Sequence, residues 1–383
     1  MKLLIVLVNY NGFQLTADCL DAIAPIRDEV SDSCGRPGIR VGLCDNGSKP
    51  GEAKRLADFI ADRGYADWCA LTAIAPNLGF CGGNNAVIRP ALASENPPDY
   101  VLLLNNDTLP YPGAFRELVA FMDDPRNARV GCAGSRLEDL PPSHPTPTDW
   151  LQSRGAQAAA ASANPQVSAF RFFSLRSEFQ SASHLGPIYR LLRNQAVGMP
   201  IPPGNAKADW VAGASLIIRR DVLEQIGPLD DAYYTYFDDI DYCHSAKKAG
   251  YETWYVPASR VVHLVGQTTG VTHAQTDAAA KAKKKAKPRA AYWFQARHRY
   301  WLKHHGKPIA ALADLALIAG TALCRLTQPL TGKDHGLPAR FLRDALKTSV
   351  LFTGFKPPHV VNPETGTPNP TTPNVIDPQT PRE

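Results

Sequence analysis

The stretch YVLLLNND, residues 100–107, sets five apolar or aromatic residues directly before two asparagines and an aspartate. A short apolar run that ends so abruptly is typical of a buried strand that stops at the edge of a sheet. The carboxylate of Asp107 is costly to bury, so we predict that it lies beyond the strand end. Taken alone, Asp107 is open to two interpretations: the cap of a turn or helix, and a ligand for a cation.

Three further apolar runs end in the same way. The runs LLIVLV, IRVGLC and WCALTAIA are followed by the polar clusters Asn9-Tyr10-Asn11-Gly12, Asp45-Asn46-Gly47-Ser48 and Pro76-Asn77-Leu78-Gly79. Helix-like segments at 14–23, 52–63 and 84–93 lie between the runs. This alternation predicts a parallel α/β sheet, in which ligands bind beyond the carboxyl ends of the strands.

Four polar clusters at one sheet edge favour the ligand interpretation of Asp107, because Mg²⁺ and Mn²⁺ prefer carboxylate oxygens. Asp45 stays open, since Asp-Asn-Gly is a common turn sequence and a carboxylate there can also bind a ribose or base edge. The glycine-rich NLGFCGGNN, residues 77–85, opens a helix and suits a phosphate. It matches neither the Walker A pattern nor the GxGxxG spacing.

A second acidic cluster occurs in YTYFDDIDYCHSAKKAG, residues 234–250. If this segment is helical, Asp238 and Asp241 share one face and Asp239 points away from it. These acids are explained either by the helix dipole in a first turn or by one general base with two supporting carboxylates. His263, in VVHLVG, is either a core histidine or a metal ligand.

The bulk composition suits a soluble globular protein with a sizeable core. The chain has 383 residues, of which 44% are hydrophobic and 20% charged. Eight scattered cysteines without a CxxC pair argue against a zinc or redox motif and indicate a reducing, cytoplasmic compartment. We see no stretch of the roughly 20 apolar residues that a spanning helix requires; residues 309–324 come nearest.

Residues 278–313 contain ten Lys or Arg and no acid. This segment is either a solvated helix face or a contact with an anionic surface. Interleaved aromatic residues favour a membrane interface over nucleic acid. We therefore predict a protein that is peripheral at the inner face of the cytoplasmic membrane and binds no nucleic acid.

Composition also suggests five regions. We predict an α/β half at 1–135, a mobile Pro/Ala-rich insertion at 136–207 and a second ordered half at 208–268. A basic-aromatic helical segment at 269–350 and a disordered Pro/Thr-rich tail at 351–383 follow.

Together the motifs VLVNYNG, CDNGS, NLGFCGGNN, LLLNNDTLP, the 210–251 stretch and VVHLVG resemble family 2 glycosyltransferases, in the rhamnosyltransferase-like branch. The resemblance covers residues 1–135 and 208–306. It implies that 1–135 is the nucleotide-sugar-binding half and that 208–268 is the acceptor-binding and catalytic half. It implies a GT-A fold, a mostly parallel sheet flanked by helices, here with a C-terminal helical extension. It also implies a metal-dependent, inverting transfer of a sugar such as rhamnose from a nucleotide-diphosphate donor to a saccharide or lipid-linked saccharide, in the synthesis of cell-envelope polysaccharide.

The resemblance assigns roles to individual residues. It implies that Asp239 is the catalytic base and that Asp107 and His263 hold a divalent cation, Mg²⁺ or Mn²⁺. Residues implied to support the base or the acceptor are Asp238, Asp241, Trp210 and Gly213. Residues implied to bind the nucleotide-sugar are Asn9, Tyr10, Asn11, Asp45, Asn77, Gly79, Gly82, Gly83, Asn84, Asn105 and Asn106.

The chain departs from the family pattern at two positions. Asn105 replaces the first acid of the Asp-x-Asp motif, and Asp238 replaces the glutamate before the base. A Gln-x-x-Arg-Trp motif is missing too, which argues against a processive synthase. Asn105 keeps a second hypothesis open, a non-catalytic nucleotide-sugar or saccharide-binding protein. A nucleotidyltransferase is disfavoured because no basic triphosphate loop occurs near the start.

Overall fold

The structure is a computed structural model that describes residues 1–153, 163–264, 288–331, 337–363, 365–367 and 373–378. The strands are β1 Leu3–Asn9, β2 Ile39–Asn46, β3 Cys69–Ala75, β4 Tyr100–Asn105, β5 Thr108–Pro110, β6 Val130–Glu138, β7 Ala169–Phe170, β8 Ala206–Ala208, β9 Trp210–Val211, β10 Ser215–Arg219, β11 Glu252–His263 and β12 Asn374–Ile376. The α-helices are α1 Phe13–Ile23, α2 Glu52–Asp62, α3 Gly79–Leu92, α4 Ala114–Asp123, α5 Pro147–Gln152, α6 Leu175–Ser183, α7 Gly186–Leu191, α8 Arg220–Ile226, α9 Asp238–Lys248, α10 Ala291–Thr331, α11 Phe341–Thr348 and α12 Val350–Thr353.

Ten of these strands form one mixed sheet in the order β12-β3-β2-β1-β4-β10-β6-β11-β5, with β8 paired to β11. The four strands expected from the polar clusters, β3, β2, β1 and β4, are neighbours and run parallel. β10 lies antiparallel between β4 and β6, and β11 runs parallel to β6. The predicted α/β sheet with polar strand ends on one edge is therefore confirmed.

Alternating side chains of β1 supply two separate cores. Leu3, Ile5 and Leu7 pack with residues of α1, α2 and α4, whereas Leu4 and Val6 pack with residues of α3 and α9 on the other face. Because helices cover both faces of the sheet, the strand reads as a continuous apolar run instead of alternating with polar residues.

The region 136–207 was predicted to be a mobile Pro/Ala-rich insertion, and its described part contains the helices α5, α6 and α7. Helix α5 begins at a capping box of Thr146 and Asp149, and Trp150 is buried against Tyr111 with ring centroids 5.4 Å apart. In α6, Glu178 is buried and accepts hydrogen bonds from distant residues of α10. Composition could not show this, because the order comes from contacts with other parts of the chain.

The aromatic residues of the basic segment pack inside the protein. Phe294, Tyr300 and Trp301 are buried, and α10 lies mainly against α6. The prediction that these rings face a membrane is therefore wrong, because the same rings fill the space between α10, α6 and α9. The lysine cluster at 281–287 lies outside the described residues.

Helix α10 is interrupted at Gly306, whose φ of 75° is not helical. By length and composition alone, its span Ala291–Leu330 is sufficient to cross a membrane, with a mean hydropathy of 1.8 in its most apolar window. Only 39% of that window is buried inside the protein. A helical segment was predicted at 269–350, but a length and hydropathy sufficient to span were not recognised, because Asp314 and Gly320 divide the apolar run.

The tail after residue 350 was predicted to be disordered, and its described residues instead contact the body of the protein. Val360 is buried, and its N–H donates to the carbonyl oxygen of Ala232 at 2.8 Å. The side-chain amide of Asn362 donates to the carbonyl oxygen of Asn77. Strand β12 pairs antiparallel with β3 at the edge of the sheet. A Pro/Thr composition conceals such contacts, because single backbone hydrogen bonds leave no periodic pattern.

Candidate active site

The ends of β1, β2 and β4 lie side by side. Asn9 pairs with Asp45 in the parallel register, and Val8 pairs with Asn105. Asp45 is fully buried, and its Oδ1 accepts a hydrogen bond from Nδ2 of Asn9 at 2.9 Å and one from the hydroxyl of Ser48. Asp45 therefore holds the first two strand ends together, a role that the turn and ligand interpretations did not include.

Asn46 joins the second strand end to the glycine-rich loop. Its Nδ2 donates to Oδ1 of Asn77 at 3.0 Å and to the carbonyl oxygen of Gly79 at 2.8 Å. Its Oδ1 accepts from the N–H of Leu78 at 2.9 Å. Both ends of the Asn46 amide are thus used to fix the loop, which makes this residue part of the predicted donor site.

Gly79 brings this loop against the segment that precedes the acidic triplet. Its φ is +71°, and a Cβ there would lie 2.1 Å from the carbonyl oxygen of Tyr234. The next N–H, of Phe80, donates to that same carbonyl oxygen at 2.7 Å. The loop and the triplet segment therefore touch through their backbones, which is possible only with glycine at position 79.

The other small and polar residues of NLGFCGGNN have packing roles. A Cβ at Gly82 would lie 2.4 Å from Cβ of Leu78, and one at Gly83 would lie 2.8 Å from Cγ1 of Val8. Asn84 is buried, and its Nδ2 donates to the carbonyl oxygen of Phe80 at 2.8 Å. These contacts explain the residue types by the close seating of α3 on the sheet, without a ligand.

Three further nucleotide-site candidates, Tyr10, Asn11 and Asn106, lie in the segments that directly follow β1 and β4. Asn11 adopts a positive φ of 53°, and its N–H donates to the Ser48 hydroxyl at 2.9 Å. Nδ2 of Asn106 donates to Oγ1 of Thr16 at 2.9 Å, and that hydroxyl donates to Oδ1 of Asn9. Tyr10 is half-buried beside them.

Asp107 and His263 come together although they are distant in sequence. β5 and β11 pair antiparallel, with His263 opposite Thr108. Nε2 of His263 lies 3.5 Å from Oδ1 of Asp107, while Nδ1 of His263 lies 3.2 Å from Oε1 of Gln166. Since Oε1 only accepts, the bond to Gln166 assigns the proton to Nδ1 and leaves the Nε2 lone pair directed to Asp107.

This pair fits a divalent cation. A carboxylate oxygen and an imidazole nitrogen at 3.5 Å can bind one ion together, and an outer hydrogen bond of the Gln166 kind orients metal-binding histidines. Over the residues that the structure describes, no group of three or more His, Cys, Asp or Glu side chains is arranged to hold a metal. Two protein ligands would leave the remaining positions to donor phosphate oxygens and water.

The acidic triplet begins α9, immediately after two aromatic residues in the left-handed region, Tyr236 at φ 68° and Phe237 at φ 62°. Consecutive bulky residues at positive φ are strained and persist only where surrounding structure holds them. Asp238 and Asp241 are buried, whereas Asp239 is partly exposed. Of the three carboxylates, Asp239 is therefore the one that solvent or a ligand can reach.

Asp239 is fixed at the same sheet edge as Asp107. Its Oδ2 accepts a hydrogen bond from the N–H of Gly213 at 3.1 Å. The neighbouring carbonyl oxygen, of Ala214, accepts from the N–H of Asn105 at 3.1 Å. Only Asn106 separates Asn105 from Asp107, so a short series of backbone contacts connects the two acids.

Burial raises the pKa of Asp238 to about 8, with the negative charge of Asp239 as the second cause. Burial also raises the pKa of Asp239, opposed by the N–H groups of Gly213 and Ile240 that favour its charged form. Since the charge of Asp239 is itself a cause of the raised Asp238 pKa, the proton of the pair resides on the enclosed Asp238 and the negative charge on the accessible Asp239.

Asp241 is engaged by the C-terminal helix. Its carboxylate lies 2.7 Å from Nζ of Lys303 and 2.7 Å from Nε2 of His304, and it accepts from the Tyr233 hydroxyl at 3.0 Å. The sequence expectation that Asp241 orients the acceptor or tunes the base differs from this arrangement. Its contacts show a buried ionic connection between α9 and α10, built from residues that were assigned no role.

Trp210 begins strand β9. Its ring stacks on Phe170 with centroids 4.0 Å apart, and its Nε1 donates to the carbonyl oxygen of Arg171 at 3.0 Å. Residues of 136–207 therefore contact two site candidates, Trp210 here and His263 through Gln166. The residues of 136–207 that make these contacts were assigned no role from the sequence, and neither were Asn46, Ser48, Thr16 and Lys303. Asn46 and Ser48 had a signal, since both belong to the polar cluster Asp45-Asn46-Gly47-Ser48.

Comparison with known proteins identifies the family. A model described as glycosyltransferase like family 2 matches residues 70–292. This match covers α3, the ends of β4 and β11, and the whole acidic triplet. The chain belongs to glycosyltransferase family 2. Its members transfer sugars, so the geometry above is that of a sugar-transferring protein.

Two relatives sharpen this placement. The chain is 31% identical over 241 residues to N-acetylglucosaminyl-diphospho-decaprenol L-rhamnosyltransferase of Mycobacterium tuberculosis, covering 61% of this chain and 68% of that protein. It is 24% identical over 200 residues to the low-salt glycan biosynthesis hexosyltransferase Agl10 of Haloferax volcanii, covering 50% of this chain and 52% of that protein. The rhamnosyltransferase-like branch of the family is thereby confirmed.

The fold has a counterpart among solved structures. A crystal structure of GalNAc-T7 with UDP, GalNAc and Mn²⁺ superposes with a TM-score of 0.51 at 12% identity. The match covers 94% of this chain and 58% of that one, so the chain spans less than two thirds of the solved protein. At this identity the likeness concerns the fold alone, which is the GT-A fold.

Proposed function

We propose that this protein is an inverting glycosyltransferase that moves a sugar from a nucleotide-diphosphate donor to a hydroxyl of a saccharide acceptor. The observation that carries the proposal is the partly exposed Asp239, fixed through Gly213 at the sheet edge that also holds Asp107 and His263. A base on one side and a cation-binding pair on the other is what a single displacement at an anomeric carbon requires.

In the proposed reaction the Asp239 carboxylate accepts the proton of the acceptor hydroxyl. The acceptor oxygen forms its bond to the anomeric carbon while the bond from that carbon to the diphosphate oxygen breaks, so the configuration inverts. The Gly213 N–H holds Oδ2 of Asp239 in place. Protonated Asp238 confines the charge to Asp239, since burial and the neighbouring charge raise the Asp238 pKa to about 8.

On the donor side, we propose that the strand ends around Asn9, Asp45 and Asn77 bind the nucleotide. Their side chains are already fixed by one another, which reduces the ordering that binding would cost. Asp107 and His263 would hold Mn²⁺ or Mg²⁺. When bound, such an ion supplies positive charge against the departing diphosphate.

For the acceptor, we propose a lipid-linked saccharide of the cell envelope, reached from the cytoplasmic face of the membrane. Support comes from the Mycobacterium relative, whose name specifies a diphospho-decaprenol acceptor. The same relative makes L-rhamnose the first donor sugar to test.

The test combines binding and turnover. Purified protein is incubated with Mn²⁺ and a panel of nucleotide sugars that includes dTDP-L-rhamnose; bound donors are identified by a rise in melting temperature and products by NMR of the anomeric centre. We expect Asp239→Asn to retain donor binding and to lower transfer by about 10³-fold, with Asp62→Asn on the surface of α2 as the control.

Near-normal transfer by Asp239→Asn would remove Asp239 as the base. Donor binding by the wild type without transfer or donor hydrolysis would instead favour the non-catalytic binding protein, the hypothesis that Asn105 keeps open. A product with retained anomeric configuration would contradict the single displacement.

A further inference from the structure

The second half of α10 is apolar on both of its sides. Its inner side packs on α6: a Cβ at Gly320 would lie 2.8 Å from Cβ of Ala182 and 2.8 Å from the carbonyl oxygen of Phe179. Ala313, Leu317 and Cys324 are buried on the same side. A helix that is apolar all round normally has cover on every side, yet here only the inner side is covered by the described residues.

The outer side carries a row of exposed leucines at helical spacing. The exposed fractions are 46% for Leu312, 49% for Leu315, 73% for Leu326 and 86% for Leu330. Pro308 begins the same row, and Ala319 and Ala322 lie in it between Leu315 and Leu326. The row extends over roughly 33 Å, at 1.5 Å per residue.

The next two helices add exposed apolar residues beside this row. In α12 and the residues around it, Leu351 is 49%, Phe352 76% and Phe355 36% exposed. The N–H of Val350 donates to Oδ2 of Asp314 at 2.7 Å. This bond places the start of α12 against α10 at Asp314, near the middle of that helix.

The exposed charges around this face are positive. Lys307, Arg325, Lys347 and Lys356 are exposed. Within 307–330 and 341–356 the acids are Asp314, which is buried and paired with Arg297, and Asp344, which is half-buried. An apolar row bordered by cations and lacking exposed acids is the pattern of a helix that lies in the interface of an anionic membrane.

We propose that this face, residues 308–330 with 351–355, docks on a bilayer that contains anionic phospholipid, with α10 lying in the plane of the interface. The proposal rests on the proposed function and deepens it, because it assigns the membrane contact to a defined surface. That surface replaces the aromatic residues of the basic segment, which are buried.

Two other arrangements fit less well. Pairing with a second copy would bring the same cations on both chains into apposition. A spanning position would require α10 to leave α6 and would break the buried ion pair between Arg297 of α10 and Glu178 of α6, 3.2 Å apart. Docking in the plane keeps every internal contact and covers the exposed leucines.

The experiment is flotation of the full chain with vesicles of phosphatidylcholine alone or with 30 mol% phosphatidylglycerol, roughly the anionic content that attracts basic surfaces. We expect binding to the anionic vesicles and a loss of more than about tenfold in Leu326→Ser/Leu330→Ser. Leu191→Ser in α7, whose parent leucine is 83% exposed, is the matched control and should bind as the wild type does.

Equal flotation of the double variant and the wild type, or no flotation of the wild type, overturns the proposal. Light scattering after gel filtration tests the rival: a wild-type dimer that becomes monomeric in the double variant would assign the face to a second copy. Donor binding without vesicles is measured on the same samples. If the wild type does not bind donor, the proposed function is refuted, whereas the flotation result bears on the docking face alone.

Discussion

Nζ of Lys303 lies 2.7 Å from Oδ2 of Asp241, which connects the C-terminal helix α10 to the helix that carries Asp239. Asp241 is buried with 4% of its side chain exposed, while Lys303 is 32% exposed and also bonds Asp230 at 2.9 Å. The C-terminal extension is therefore part of the support of the catalytic segment, since it neutralises a carboxylate two positions after the proposed base.

Replacing Lys303 by methionine should destabilise the protein, because a buried carboxylate loses a cation while the aliphatic packing is kept. We expect a loss of about 2 kcal/mol in the free energy of unfolding, less than for a fully enclosed pair because Lys303 is partly exposed. Denaturation in urea measures it. Lys307→Met, at an exposed position of the same helix, should change stability by less than about 0.5 kcal/mol; equal losses in both variants would contradict the role of Lys303.

Gly79→Ala should separate the donor loop from the triplet segment. The new Cβ would lie 2.1 Å from the carbonyl oxygen of Tyr234, so one of the two backbones must move. Gly64→Ala is the matched control, because its φ of +67° is similar and nothing lies within 4 Å of the added Cβ.

Both alanine variants carry the cost of a positive φ, about 1 kcal/mol. We expect Gly79→Ala to lose at least about 2 kcal/mol more and to bind donor more weakly, as measured by thermal unfolding with and without nucleotide sugar. Indistinguishable melting temperatures for the two variants would mean that the backbone contact at Tyr234 carries no energy.

Removing either member of the Asp107–His263 pair should weaken cation binding. We expect Asp107→Asn and His263→Gln to raise the Mn²⁺ concentration for half-saturation by more than about tenfold, and Gln166→Leu by roughly tenfold through a misdirected imidazole. Calorimetric titration of Mn²⁺ in the presence of nucleoside diphosphate measures this without relying on turnover. Asp58→Asn on α2 is the control, and an unchanged affinity in His263→Gln would exclude His263 from the site.

The stability of the protein should fall as pH rises through the titration of Asp238. Its folded-state pKa of about 8 lies above the ordinary value of 3.8, so the folded state holds a proton that the unfolded state releases. The destabilisation begins above pH 3.8 and is complete once the pH exceeds about 8.

Asp238→Asn removes that titration while keeping the shape of the side chain. We expect its melting temperature to match the wild type near pH 4 and to exceed it by roughly 5 °C at pH 9. Scanning calorimetry across this range tests the prediction. Parallel curves for the two proteins would show that Asp238 is ionised in the folded state at all these values.

Much of the fold could be predicted from the sequence. Runs such as YVLLLN are apolar throughout because both faces of the sheet are covered, and their abrupt polar ends marked the edge where Asn9, Asp45 and Asp107 now lie. The first-turn position of Asp238, Asp239 and Asp241 followed in the same way, because helical periodicity is a local property.

Contacts between residues that are distant in sequence could not be predicted. The sequence left His263 open between core and metal, and strand pairing brought it within 3.5 Å of Asp107. The sequence did not distinguish Asp238, Asp239 and Asp241 from one another. In the structure their burial and partners differ: Asp238 is an enclosed acid with a raised pKa, Asp239 is the accessible proposed base, and Asp241 forms an ionic contact with α10. Strands and helices can be predicted from the periodicity of neighbouring residues. Burial, ionisation and metal geometry depend instead on which distant side chains the folded chain brings into contact.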